Sequence, residues 1–269
     1  FLDGASSNTI TGVTATNGAA ACVAARISNG TYNTISQSSF TATAGGCYGL
    51  RLDVSSFNAV SGTYISAPNG TGAEFLQSNS NSISQSTVTS NLTAMAALTM
   101  TGSAFNAVSG SYLSNPSGIS LRLGAGAAYN TISQSTVISN TNTDIALYIS
   151  GADSNTVTGS YVQNLLGYAA GLDSGSKGNI ISQCVLLSGA PGFSGLGLNN
   201  ASSNTLSDSY VSNLVGYGVI INNNSNYNTL IRSTMTSAST VADRFALYIA
   251  ASSSNTVLDS YIQGSTAAF

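Results

Sequence analysis

Histidine and tryptophan are absent from this chain of 269 residues, proline occurs three times, and charged side chains make up only 6% of it. Each shortage removes a class of reading. The 6 Lys+Arg are scattered over the whole length, so no basic patch exists to displace counterions from phosphates, and nucleic acid is excluded as a partner. No apolar run approaches the roughly 20 residues that cross a bilayer, which excludes membrane insertion, and no basic-then-apolar leader opens the chain. Cys22, Cys47 and Cys184 are too few for a disulfide scaffold and lack the CxxC spacing of a zinc site. With no dense carboxylate cluster to hold calcium either, no metal and no other cofactor is expected. Scarce charge signals disorder only where hydrophobicity is also low, and here 42% of the residues are apolar. The chain can therefore bury a core. A first residue of Phe in place of Met reads as a segment processed or excised from something secreted or displayed on a cell surface.

What is abundant is self-similarity. SNTVTGSYVQN from Ser154 returns as SNTLSDSYVSN from Ser203 and SNTVLDSYIQG from Ser254. Aligned on the Asn of this motif, the series runs Asn8, Asn33, Asn58, Asn81, Asn106, Asn130, Asn155, Asn179, Asn204, Asn228 and Asn255, with intervals of 23 to 27 residues. Two positions after every Asn stands an aliphatic residue, from Ile10 and Ile35 through Ile132, Val157 and Ile181 to Val257. Seven positions after it come Phe40, Ile65, Val162, Ile262 and their counterparts. A further apolar stretch precedes the Asn, as in LRL at Leu50 and LYI at Leu147. Alternation of period two within such short stretches specifies strands, and Gly, Asn, Ser and Pro mark the turns, with Pro68 and Pro116 at the same corner. Coils of about 25 residues stacked in register place each strand parallel to its copy at about 4.8 Å. The fold class is all-β: a parallel β-helix of about eleven coils, forming one domain over residues 1–269.

The unit N-[TA]-[IVL]-[ST]-x-S-x-[VIL] followed by G-[LIV]-x-[LIV] resembles the right-handed parallel β-helix repeat proteins. That superfamily includes pectate-lyase-like enzymes and a periplasmic copper-maturation family with NTISGN-type repeats. The resemblance covers essentially the whole chain. It implies right-handed winding, in keeping with the crossover rule for parallel strands, and it spans lyases, hydrolases, adhesins and accessory proteins.

Several columns suggest roles. The Asn series is expected at a tight corner, tolerating a left-handed backbone and stacking its amides into a ladder. Ser86, Ser111, Ser135 and their equivalents, five positions after the Asn, are expected to be small residues with locally paired hydroxyls. Cys184 replaces one of them as a buried thiol. Cys22 and Cys47 share one position on adjacent coils, where a bridge is geometrically allowed but not required. Six positions after the Asn, Tyr64, Tyr112, Tyr161, Tyr210 and Tyr261 alternate with compact residues. This defines a two-coil unit with its rings expected outside, where they suit stacking on sugars or, more plainly, cover their neighbours. Asp208, Arg232 and Asp259 occupy one position on consecutive coils. Pectate-lyase-like enzymes use Arg with nearby carboxylates, so these three are the catalytic candidates that the resemblance suggests, against a plain surface ion-pair ladder. Arg26, Arg51 and Glu74 form a second such ladder. Thr9/Thr11, Thr34/Ser36 and Thr131/Ser133 resemble the T-x-T arrays of β-helical ice-binding proteins, although Ala59, Ile180 and Leu258 interrupt the file.

Coil lengths vary by only four residues, leaving no long insertion to wall a groove. The expected function is therefore a non-enzymatic extracellular solenoid, a stalk or passenger of a surface adhesin or a filament subunit, with cell-surface polysaccharide as a candidate ligand. The alternatives are a polysaccharide lyase or hydrolase of the pectate-lyase-like class and, after it, an ice-binding protein. Because the chain begins inside one coil and stops at Phe269 before the next, end-to-end association or flanking solenoid segments are expected.

Overall fold

A computed structural model describes residues 1–20 and 22–264. Phe269, where the sequence places an open coil end, lies outside the described residues. The described residues form thirty-three strands in three parallel sheets of eleven strands each, with every strand paired to its copies one coil before and after. One coil shows the plan. Tyr48–Asp53 lies in the sheet that precedes the Asn, Ala59–Ser61 in the sheet that follows it, and Tyr64–Ala67 in a third, here called the Tyr sheet.

Register is strict because every coil buries the same positions. Ile132 pairs with Val157 and Val157 with Ile181, all fully or almost fully buried, in one interior column that starts at Ile10 and ends at Val257. A shift of one residue would turn that column to water. Leu50, Leu98, Leu121 and Leu147 from the pre-Asn sheet and Ile65, Leu113 and Val162 from the Tyr sheet complete a single continuous core.

The Asn amides form an unbroken ladder. Each Nδ2 donates to the Oδ1 of the next Asn, from Asn8 to Asn255, at 2.9–3.3 Å. The same Oδ1 accepts the backbone N–H of the Asn one coil earlier, as Asn155 does from Asn130 at 3.0 Å. The left-handed corner falls one residue earlier than the sequence suggests. The residue before each Asn, not the Asn itself, has φ between +55° and +66°. The reason is direction: the reversal at that residue turns the Asn side chain inward, where amide can meet amide. The Ser file works similarly, each hydroxyl donating to the carbonyl two residues back while accepting an N–H from the preceding coil, as at Ser111 and Ser135. Cys184 sits in that file as a buried free thiol, and Cys22 and Cys47 are joined as a disulfide with Cα atoms 4.8 Å apart.

The two-coil period has a steric origin. Four residues after the Asn the backbone is again left-handed, with φ of +46° to +67°, and Gly alternates there with Gln over most of the chain. A Cβ placed on Gly62, Gly110 or Gly159 would lie 3.7–3.9 Å from the Cγ of Gln37, Gln85 or Gln134, so each Gln stem lies over its neighbour's bare corner. A second Asn file escapes a reading of single coils. Asn115, Asn164 and Asn213, on alternate coils, each donate to two carbonyls of the preceding coil's loop. The glycine three residues on is obligatory, since a Cβ there would fall 2.5–2.8 Å from that amide nitrogen.

Candidate functional site

The pre-Asn sheet holds the densest run of charge among the described residues, including Arg26, Arg51, Asp53 and Glu74. One outward column reads Arg26, Arg51, Glu74, Thr99, Arg122, Tyr148, Gly171, Gly197, Ile220, Tyr248. Its first part is a compensated ion network. Asp53 meets Arg26 Nε at 2.6 Å and Arg51 Nε at 2.8 Å, Arg51 also reaches Glu74 at 2.9 Å, and its guanidinium lies 4.9 Å from the Tyr48 ring centroid. Burial pushes the Glu74 carboxyl above its ordinary value despite Arg51.

Farther along, two side chains are missing. Gly171 and Gly197 are in register, so the column is bare between Tyr148 and Ile220. A cavity of about 150 Å³ fills the gap, lined by Tyr148, Tyr168, Asp173, Asn199 and Asn222 around the two glycines. Tyr168 leans over Gly197, and its ring meets Phe193 edge-on at 5.0 Å. Tyr148 donates its hydroxyl proton to Asp173 Oδ2 at 2.6 Å, while the Arg122 guanidinium lies 5.6 Å from the Tyr148 ring. Burial, then the bond to Asp173, holds the Tyr148 hydroxyl above its ordinary pKa. Burial does the same for Tyr168.

Three buried polar atoms find no hydrogen-bond partner among the described residues: Asp173 Oδ1 and Asn222 Oδ1 in the lining, and Arg122 Nε one coil before Tyr148. Leaving such groups unpaired costs about 1–3 kcal/mol each, so each calls for a partner such as water, an ion or a ligand. Two of the three are acceptors. A ligand rich in hydroxyl donors answers them, in a concave site with aromatic walls.

The residues singled out in the sequence lie elsewhere. Asp208, Arg232 and Asp259 stand at the left-handed corner between the other two sheets. Arg232 clasps Asp208 through Nε at 2.7 Å and Nη2 at 2.8 Å, which holds the carboxyl below its ordinary pKa. This pair is exposed and lines no cavity described here. Tyr64, Tyr112, Tyr161, Tyr210 and Tyr261 point outward from the Tyr sheet, registered with Thr87, Thr136, Val185 and Thr234 between them. Four of these rings are exposed, whereas Tyr161 is half-buried and donates to Gln163 Oε1 at 2.6 Å. The structure thus separates the ladder and the Tyr file from the cavity. Tyr148, Asp173, Arg122 and Asn222 escape a residue-type search. Their signal is the pair of consecutive outward glycines where every neighbouring coil carries a side chain.

Comparison with known proteins agrees with this architecture. A family model described as right handed beta helix region matches residues 145–268. No curated protein matches the chain in sequence. Among solved structures, a Geobacillus virus E2 protein superimposes with a TM-score of 0.63 at 10% identity, covering 95% of this chain and 53% of that one. A double mutant of a periplasmic alginate epimerase gives 0.59 at 10% identity, covering 86% and 70%. An alginate lyase from a Paenibacillus species gives 0.51 at 13% identity, covering 97% and 98%. At these identities the likeness is one of fold. The chain folds as a right-handed parallel β-helix. No helix among the described residues is long and apolar enough to cross a membrane.

Proposed function

We propose that this chain binds an extended acidic polysaccharide along the outer face of the pre-Asn sheet and cleaves it by elimination at the Gly171/Gly197 cavity, outside the cytoplasm. The observation that carries the reading is the Tyr148–Asp173 pair beside that bare floor. Hydrolysis by paired carboxylates needs a second carboxyl roughly 5–10 Å from the first. Asp173 is the sole carboxylate among the residues lining the cavity. Elimination needs one base, one acid and a cation. Asp173 Oδ1 takes the proton α to the uronate carboxyl, the C–H electrons become the new C=C bond, and the leaving oxygen departs with its bonding pair and the Tyr148 proton. Proton return from Asp173 to Tyr148 across their 2.6 Å hydrogen bond resets the pair. A tyrosine held protonated by burial suits the acid role, and Arg122 supplies the positive charge that steadies the substrate carboxylate.

The printed names of the similar structures, an alginate epimerase and an alginate lyase, support a carbohydrate substrate. The non-enzymatic stalk drawn from uniform coil lengths finds no support there. Long insertions are one way to wall a substrate site, and here Tyr148 and Tyr168 flank the cavity directly. The outward Tyr file is assigned to secondary glycan contact, which a glycan array with Tyr112→Ala and Tyr161→Ala combined tests.

The central experiment incubates the chain with alginate, pectate and other uronate polymers and follows the ultraviolet absorbance of the unsaturated product. Tyr148→Phe and Asp173→Asn are each expected to lower the rate by at least roughly 100-fold. No product from any uronate polymer overturns the reading.

A further inference from the structure

At the left-handed corner before each Asn, five coils carry an aromatic residue: Tyr227 stands alone, and the other four form two adjacent pairs with a serine between the pairs. Tyr32 and Phe57 stack at 5.0 Å with planes 8° apart, and Phe105 and Tyr129 stack at 5.2 Å with planes 6° apart. The coil between them carries Ser80. Phe57 and Phe105 are 51% and 63% exposed. The repeat supplies its own control, because the same corner elsewhere is Ser7, Ser154 or Ser203 with an equally left-handed backbone. The fold therefore does not require aromatics there. Non-glycine side chains at positive φ carry a backbone cost, which small residues reduce little and Gly avoids. Aromatics kept at such a position, exposed and in matched pairs, point to use outside the fold.

The spacing defines that use. Rings on adjacent coils stack face to face across one coil rise, so their planes lie across the helix axis. Phe57 and Phe105 are two coil rises apart, about 10 Å, with the small Ser80 beneath the gap. One ring inserted midway would lie about 5 Å from each aromatic face, within the 4.5–7 Å range of ring stacking. The geometry points to a sugar-clamping slot: Phe57 and Phe105 sandwich a single pyranose ring above Ser80, with the chain of the glycan running outward from the corner, not along the axis. A pyranose presents C–H groups on both faces and hydroxyls at its rim, matching two aromatic walls, the Ser80 hydroxyl and the exposed Asn79 amide. A nucleic-acid base would fit the same gap, but its phosphates would meet a protein of net charge −3 with few basic residues. This inference rests on the carbohydrate reading above for its ligand class and uses a different surface, with Ser80 three coils from Tyr148 of the cavity.

The test fills the slot with the protein's own chemistry. Ser80→Phe places a further ring between Phe57 and Phe105, in a backbone conformation that aromatics already adopt on five other coils. Binding of cellohexaose, mannohexaose and an alginate hexamer is measured by saturation-transfer NMR and calorimetry, with adenosine monophosphate as the competing ring. At least one hexasaccharide is expected to bind wild type and to bind Ser80→Phe at least about tenfold more weakly, the equivalent of losing two stacking contacts. The double variant Phe57→Ser with Phe105→Ser, which installs the residue of other coils, should show the same loss. Equal binding by wild type and Ser80→Phe, preference for adenosine monophosphate, or no binding by any hexasaccharide overturns the slot. Failure of wild type to cleave uronate polymers while Ser80→Phe still abolishes binding overturns the elimination reading and leaves the slot standing.

Discussion

Replacing Asn130 by Ala cuts the amide ladder at its middle. Asn130 is fully buried, and its side chain makes four bonds. Its Oδ1 accepts from Asn106 N at 2.9 Å and Asn106 Nδ2 at 3.0 Å, and its Nδ2 donates to Asn155 Oδ1 and Ser103 O at 2.9 Å each. The partners do not suffer equally. Ser103 O keeps the Ala128 N–H, Asn155 Oδ1 keeps the Asn130 N–H, and Asn106 Nδ2 keeps Ser78 O. Asn106 N–H keeps nothing. One orphaned buried donor costs about 1–3 kcal/mol and each of the three other lost bonds roughly 1 kcal/mol, so Asn130→Ala should destabilise by about 4–6 kcal/mol. Asn8→Ala is the internal control. Asn8 is exposed at the first coil and gives up bonds to Ser6 O and Asn33 Oδ1, for an expected loss of at most about 1 kcal/mol. Asn130→Asp sharpens the argument through pH. It keeps an acceptor for Asn106 but turns a carboxylate oxygen toward Asn155 Oδ1 and Ser103 O, both acceptors, so the buried carboxyl binds its proton more tightly folded than unfolded. Its stability should be greatest below the ordinary Asp range and fall as pH rises through the folded pKa. Guanidinium unfolding followed by circular dichroism at several pH values measures all three variants. Equal losses in Asn130→Ala and Asn8→Ala would refute the claim that the ladder holds the coils in register.

Alkylation in denaturant without reductant should label one thiol, Cys184, and after reduction three, with Cys184 unreactive in the folded protein because burial raises its pKa; three labels without reductant would remove the Cys22–Cys47 bridge. Glu74 holds its proton more tightly folded than unfolded, so its contribution favours the fold at low pH and is lost as pH rises through the folded pKa. The stability difference between Glu74→Gln and wild type should therefore grow in the variant's favour from acid to neutral pH, and a flat difference would contradict the burial argument. Asp208→Asn should leave the unfolding midpoint unmoved and its neighbour Arg232 free to solvent, as for other exposed ion pairs, and a marked loss of polymer cleavage in this variant would instead place the corner ladder in catalysis.

The interior was legible because burial constrains every coil alike. Ile132, Val157 and Ile181 must be aliphatic for the same reason, so spacing alone reveals their column, and the Asn ladder follows once strands are known to stack. The error of one residue in the left-handed corner arose because Asn is the usual occupant of that conformation. Here Asn is needed inside, and its predecessor takes the strain whether it is Ser80 or Phe105. The outer surface obeys no such rule. The resemblance to pectate-lyase-like enzymes pointed to Asp208, Arg232 and Asp259 because they stack an Arg between carboxylates, yet stacking says nothing of concavity, and these residues sit at an exposed corner.

Function on a solenoid of this kind is written as departures from its own repeat. Outside positions are free to vary, so a column that changes abruptly carries more information than one that stays constant. Gly171 and Gly197 matter because Tyr148 and Ile220 flank them, and Ser80 matters because Phe57 and Phe105 do. In both places a small residue between large ones opens a space whose height is set by a whole number of coil rises. A ligand recognised there is measured by the backbone hydrogen-bond spacing, a length that no side-chain substitution can change. Altering which coil carries the gap should therefore move a binding position along the axis in steps of about 4.8 Å without changing what fits it. Transferring the slot by Ser80→Phe with Phe105→Ser shifts the gap by one coil, to between the ring at 80 and Tyr129. Retained hexasaccharide binding in that variant, beside its loss in Ser80→Phe alone, is the expected result, and loss in both would show that recognition depends on groups peculiar to the original coil.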